Sequence, residues 1–112
     1  MRKPRLPIAV ESERAFQAKV IHLARLYRWR VAHFRPAQTR HGWRTAVQGD
    51  GVGFPDLVLV RPPRLLFVEL KSDKGKLTHE QMQWWFALHS IRRLEVYCWR
   101  PRDWDALVRI LE

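Results

Sequence analysis

The sequence predicts an α/β domain, a mixed β-sheet flanked by helices. Two apolar runs of strand length, Asp56-Leu57-Val58-Leu59-Val60-Arg61 and Leu65-Leu66-Phe67-Val68-Glu69-Leu70-Lys71, stand close enough to pair as a hairpin. On either side lie stretches whose apolar residues recur at helical spacing, and a further strand and helix close the chain. The order reads α-β-(β)-β-β-α-β-α, which calls for helices packed on a sheet of mixed direction.

Residues 1–10 form a basic, Pro-containing arm with no strong pattern of its own, and 11–112 a single domain. The first helix is expected from Ser12 to Tyr27 or Arg28, with Phe16, Val20, Leu23, Ala24 and Tyr27 on its apolar stripe and Ser12 as N-cap. Glu13 sits in its first turn, where an acid answers the helix dipole. Gln17 lies four residues further, on the same face. Arg14, Lys19, His22 and Arg25 make a polar face for solvent or a polyanion. Trp29–Arg35 alternates enough for a short strand. Pro36–Val52 is irregular, and loops of that length in a compact domain usually carry function. Within it Trp43–Gln48 is read as one extra short strand. After the hairpin, Ser72–Lys76 is a turn. Thr78 and Gln81 then form a capping box, with Leu77 and Met82 as its hydrophobic staple. Leu94–Trp99 is the next strand, and Pro101 or Asp103 opens the last helix.

At 112 residues and 13.5 kDa the chain is long enough to bury roughly two-thirds of its unfolded surface in one core. Its 21 basic residues outnumber 11 acidic ones, for a net charge of +10 and a pI near 11.0. That balance points to a polyanionic partner, nucleic acid before membrane. The single Cys98 cannot form an internal disulfide, and no Cys/His group has zinc-ligand spacing. No apolar run is long enough for a signal h-region or a bilayer span, so a cytoplasmic protein is expected.

Asp56, Glu69 and Lys71 interrupt the apolar hairpin. A buried charge is costly unless paired or bound to metal, so these three need a partner. Side chains alternate across a strand, so the three share a face only if paired residue numbers sum to an odd value. A Pro62-Pro63 turn satisfies this, but proline cannot take the positive φ of tight hairpin turns. A four-residue loop, Pro62–Leu65, also satisfies it, and places Asp56 opposite Lys71 and Glu69 opposite Val58. Two carboxylates so placed could hold Mg²⁺ or Mn²⁺, with the Leu70 carbonyl and waters completing the shell. Lys71 would orient an attacking water and offset charge building on a phosphate. The plain alternative is an internal salt bridge between Lys71 and the two acids.

Gly53-Phe-Pro-Asp56, then Phe67-Val-Glu69-Leu-Lys71, then Lys76-Leu-Thr-x-x-Gln81-x-x-Trp84 resemble the virus-type replication-repair nuclease (VRR-NUC) domain of the PD-(D/E)xK superfamily. Glu13-x3-Gln17 resembles the acidic motif of that domain's first helix, and Val31-Ala-His33-Phe34 its following strand. The similarity spans about residues 11–100. It implies an α-β-β-β-α-β core and Mg²⁺- or Mn²⁺-dependent DNA cleavage. It also implies homodimers acting on branched or Holliday-type junctions, in a bacterial cell or phage-infected host. By position, Asp56 and Glu69 become metal ligands, Lys71 the catalytic lysine, and Glu13 an acid contacting metal directly or through water. Gln81 becomes an active-site residue, unless folding back on Thr78 keeps it from facing the metal. Gly53 would let loop backbone approach metal or phosphate. Asp50 is an outside candidate ligand.

Arg35, Arg40, Arg44, Lys74 and Lys76 are the candidate phosphate contacts, which position DNA without reading its sequence. Trp84, Trp85, Trp99 and Trp104 follow core periodicity and are assigned to core or dimer interface. Trp29 and Trp43 are left unassigned. A structure-selective endonuclease is the leading function. A restriction-type or single-strand nuclease on the same fold is the second, and a non-catalytic DNA-binding module the third.

Overall fold

A computed structural model describes residues 11–34, 37–44 and 47–112. The expected basic arm, 1–10, and Arg35 lie outside that set, as do the side chains of 37–39, 43 and 44, Arg44 and Trp43 included. Among the described residues, three helices flank a four-stranded mixed sheet. Helix α1 (Glu13–Leu26) is followed by β1 (Arg30–His33), β2 (Ala37–Thr39), β3 (Gly42–Arg44), β4 (Leu57–Arg61) and β5 (Arg64–Leu70). Then come α2 (His79–His89), β6 (Glu95–Trp99), a short 3₁₀ turn Pro101–Asp103, and α3 (Trp104–Leu111). The sheet runs β1-β4-β5-β6, antiparallel except for the parallel β5–β6 pair. Among the described residues no helix is long and apolar enough to cross a membrane.

Helix α1 begins where expected, with Ser12 Oγ accepting from Ala15 N–H at 3.1 Å. It ends without a glycine. Arg28 takes a left-handed conformation (φ 68), while Arg28 N–H donates to Arg25 O and Trp29 N–H to Ala24 O, both at 3.0 Å. That pair of bonds is the Schellman closure, here built around an arginine.

One face of the sheet carries the core. Leu57 and Leu59 of β4, with Leu66, Val68 and Leu70 of β5, are fully buried against Phe16, Val20 and Ala24 of α1 and Leu107 and Leu111 of α3. The alternate positions, Val58, Phe67 and Glu69, face the other way, toward α2. That second layer is thin, and α2 contains no buried residue.

Three sequence expectations are corrected. Paired positions of β4 and β5 do sum to an odd number, but Leu57 opposes Val68 and Arg61 opposes Arg64. The register is therefore two residues tighter than expected, carrying Asp56 toward Glu69 rather than Lys71. The hairpin closes on Pro62-Pro63 itself through a cis peptide, the geometry of a type VI turn, which needs no positive φ. The extra strand expected at Trp43–Gln48 is instead β3, Gly42–Arg44, paired only with β2 around an exposed Arg40-His41 turn. The tryptophans divide. Trp99 and Trp29 are 3% exposed and in the core, and Trp104 packs against it. Trp84 and Trp85 lie in the thin second layer, only half-buried.

A second group of contacts locks the chain end to the hairpin turn. Arg61 donates to Tyr27 O, Leu111 O and Glu112 O. Arg64 forms a two-bonded pair with Glu95 and also reaches Ile110 O. Both guanidiniums lie over the Trp29 ring, whose Nε1 donates to Leu111 O at 2.9 Å. Two of the basic residues are thus structural.

Arg28→Gly relieves the left-handed penalty at the end of α1 and should stabilise the protein by about 1 kcal/mol. A urea midpoint that moves up with an unchanged m-value checks this.

Candidate functional site

The site lies at the end of the sheet where β4 begins and β5 finishes. Pro55 is buried and confines Phe54 to extended backbone, so the chain enters β4 from the loop at a set angle. Asp56 is held from two sides. Its carbonyl accepts from Phe34 N–H, extending the β1–β4 pairing, and its Oδ2 accepts from Leu70 N–H, both at 2.9 Å. The carboxylate therefore points across to β5, beside Glu69.

Glu69 is 4% exposed, the charged residue that the described core encloses. Its Oε1 accepts from Gln81 Nε2 at 2.9 Å. Burial, followed by the negative charge of Asp56 and a hydrogen bond to it, pushes the Glu69 pKa up to about 9, with Lys71 opposing and Glu13 adding to the rise. Without a cation, burial and mutual repulsion thus favour a proton held between the Asp56 and Glu69 carboxyls. Lys71 is in register with its neighbour strand, donating its N–H to Trp99 O at 3.0 Å. By alternation its side chain takes the same face as Glu69.

Glu13 reaches the site from the first turn of α1. Burial raises its pKa, Lys71 lowers it, Asp56 raises it and Arg100 lowers it, so its carboxylate lies within electrostatic range of all three. It does not complete a three-ligand cluster. Among the described residues no group of three or more His, Cys, Asp and Glu side chains could hold a metal ion by itself. The structure therefore brings together two carboxylates, with the third at longer range. A buried carboxyl beside a partly exposed one, each disfavouring the other's charge, has the hard, anionic character a divalent cation seeks. Waters or backbone oxygen would have to fill the remaining positions.

Gln81 resolves an expected conflict. Its Oε1 accepts from Thr78 N–H at 2.9 Å while its own N–H donates to Thr78 Oγ1 at 3.1 Å, so the capping box is complete. Its Nε2 still reaches Glu69, because a primary amide has both an acceptor and a donor end. Capping and site contact coexist. Gly53 has a packing role as well. At φ 84, a Cβ there would stand 2.6 Å from the backbone carbon of Glu80 and 2.7 Å from Gln81 N. The close approach that requires glycine is to the first turn of α2, which holds Gln81 at the site.

An aromatic wedge supports this arrangement. Phe54 meets Phe34, Phe67 and Trp84 edge-on, at centroid distances of 5.5, 5.9 and 5.0 Å. Trp84 Nε1 donates to Asp50 O at 2.8 Å. Asp50 itself is exposed and lines an open cleft with Val52, Glu80, Gln83 and Trp84. Its tie to the site is through that backbone carbonyl. Of the candidate phosphate contacts, Arg40 is exposed at the β2–β3 turn, and Lys74 and Lys76 are exposed just beyond β5. Two neighbours carried no signal in the sequence. Cys98 is the register partner of Glu69 on β6, and Arg100 binds the turn that follows Lys71.

The pH dependence follows from Glu69. Its folded pKa of about 9 exceeds the ordinary 4.5, so between those values the native state holds a proton that the unfolded chain has released. Stability of the metal-free protein should therefore be full below pH 4.5 and fall as pH rises toward 9. Glu69→Gln should flatten that slope and raise the melting temperature at pH 8.5 by roughly 4 °C or more, the shift about 1 kcal/mol gives in a domain of this size. Calorimetry in the presence of a chelator from pH 5 to 9 reads both. A wild-type melting temperature that does not fall would mean Glu69 is ionised throughout.

No curated protein and no solved structure gives a significant match to the chain. The model of the VRR-NUC domain family matches residues 11–98, from just before α1 through most of β6, and so spans every residue of the Glu13, Asp56, Glu69, Lys71 and Gln81 group. The mixed sheet and its helices fit the PD-(D/E)xK-like core of that family, which implies a nuclease-type function acting on DNA. The chain belongs to the VRR-NUC domain family.

Proposed function

We propose that the protein is a Mg²⁺- or Mn²⁺-dependent endonuclease that cleaves branched DNA, including Holliday-type junctions, as a homodimer. The observation that carries this reading is the enclosed Glu69 carboxyl facing Asp56, in a chain of a nuclease family. A carboxyl kept at that cost in stability, beside a second one, is explained by a cation that neutralises both.

Asp56 and Glu69 would hold the ion, with the Leu70 carbonyl and with Glu13 directly or through water. The chemistry such an ion supplies when bound is polarisation of the phosphate and a water of lowered pKa. Lys71 orients that water toward phosphorus and offsets the charge that builds on the phosphate oxygens. Gln81 keeps the Glu69 carboxylate aimed by its hydrogen bond. Arg40, Lys74 and Lys76, with Arg35 and Arg44, contact phosphates on either side of the scissile bond.

Helix α2 supports the homodimer. Met82, Phe86 and the following Ile91 are exposed to 40, 64 and 56%. Residues 79–91 include Glu80 but no Lys or Arg, in a chain of net charge +10. A second copy can approach this face without the like-charge repulsion it meets elsewhere. Trp85, stacked on His89 at 4.7 Å, has its Nε1 buried without a hydrogen-bond partner among the described residues.

Labelled four-way junction, flap and duplex DNA, each with and without Mn²⁺, test the activity. The junction should be cut only with the metal. Asp56→Asn and Lys71→Ala should each lower the rate roughly 10²-fold or more while DNA binding persists. Cleavage that survives in either variant would refute the assignment. Cutting of duplex alone would favour a restriction-type enzyme, and binding without cleavage a DNA-binding module. Phe86→Asp should convert a dimer to a folded monomer in sedimentation equilibrium; an unchanged mass would remove α2 from the interface.

A further inference from the structure

Beyond Lys71 the chain leaves the sheet in a turn, Ser72–Gly75, that folds back on the lysine. Gly75 N–H donates to Ser72 O at 3.2 Å and to Ser72 Oγ at 3.0 Å. A Cβ built on Gly75 would lie 3.5 Å from Lys71 Cδ, in ordinary van der Waals contact, so the lysine stem passes beside Gly75. Arg100, just past β6, grips both ends of this turn. Its Nη1 donates to Ser72 O at 2.6 Å and to Gly75 O at 2.5 Å. Arg100 is itself oriented, its N–H donating to Asp103 Oδ2 at 2.9 Å, and Arg102 N–H donates to Asp73 Oδ1 at 3.1 Å. The turn is therefore tied at three points to residues 100–102.

We propose that Arg100 is a positioning residue for Lys71, holding the Ser72–Gly75 turn as a wall against the lysine stem. The inference rests on Lys71 being catalytic, as proposed above. Lysine carries its charge on a flexible four-carbon stem, and a charge developing on a phosphate is stabilised only if that ammonium stands in place beforehand. Packing on one side of the stem removes rotamers that point away. A charged donor to two carbonyls is a stronger tie than the neutral bonds within the turn. The same guanidinium stands close enough to Glu13 to act on its carboxyl, so it borders the site.

Two readouts on Arg100→Met test this. In cleavage of junction DNA, kcat should fall about 10- to 100-fold with KM unchanged, the loss a small misplacement of a reacting group causes. Combined with Lys71→Ala, Arg100→Met should add no further loss, since it acts through the lysine. Gly75→Val, which crowds the lysine stem and leaves Arg100 unsubstituted, should lower kcat in the same way. Independently of activity, lysine side-chain NMR should show the Lys71 methylenes ordered in the wild type and averaged in Arg100→Met. An equal loss in the Lys71→Ala background, or Lys71 methylenes that stay ordered in Arg100→Met, would overturn the proposal. If the wild type cleaved no DNA, the functional reading would fail, and the NMR comparison would still decide whether Arg100 positions Lys71.

Discussion

A carboxyl group enclosed by protein is the constraint around which this molecule is arranged. Glu69 sits near the end of β5 on the face that α2 covers, 4% exposed, with Asp56 beside it. Burial favours its neutral form most, and the second carboxylate adds to that. Everything nearby serves to hold the pair in that unfavourable closeness. Leu70 N–H fixes Asp56, Gln81 fixes Glu69, and the capping box fixes Gln81. Gly53 lets the preceding loop press directly on the turn of α2 that carries Gln81. A local helix-capping motif has thus become a support for a charged site.

The two faces of the sheet divide the labour. The face under α1 and α3 is packed with branched and aromatic side chains that are fully buried, and it supplies the fold's stability. The face under α2 is thinner, with Phe54 as a wedge between Phe34, Phe67 and Trp84. A site placed there can tolerate buried charge because the other layer does not depend on it. The distribution of arginine follows the same division. Arg61 and Arg64 bind the end of the chain against Trp29 at the far end of the hairpin, whereas Arg100 binds the turn next to Lys71. High net charge describes a partner's sign only after such structural residues are set aside.

Patterns that are local in the chain were readable from it. The stripe Phe16, Val20, Ala24 and the Ser12 cap defined α1, and Thr78 with Gln81 defined the start of α2, because caps and periodicity involve residues a few positions apart. Period-two alternation puts Glu69 and Lys71 on one face whatever the turn, and Asp56 joins them only when paired numbers sum to an odd value, as they do. The motif spacing sufficed to mark the family, since those residues are separated by lengths that the strand–turn–strand–turn–helix order dictates.

What alternation left open was the register itself, because sums differing by two have the same parity. The pairing of Leu57 with Val68 and of Arg61 with Arg64 decides it, and puts Asp56 toward Glu69 and not Lys71. Tertiary structure likewise decided that one amide serves both Thr78 and Glu69, that Gly53 makes room for the first turn of α2, and that Arg100 reaches back 25 to 28 residues to Gly75 and Ser72. Each depends on which strand lies beside which in space. Local propensity carries which residues can form a strand and which face they share; the parallel β5–β6 pairing that brings Cys98 beside Glu69 and Arg100 to the turn after Lys71 is made only when the sheet assembles.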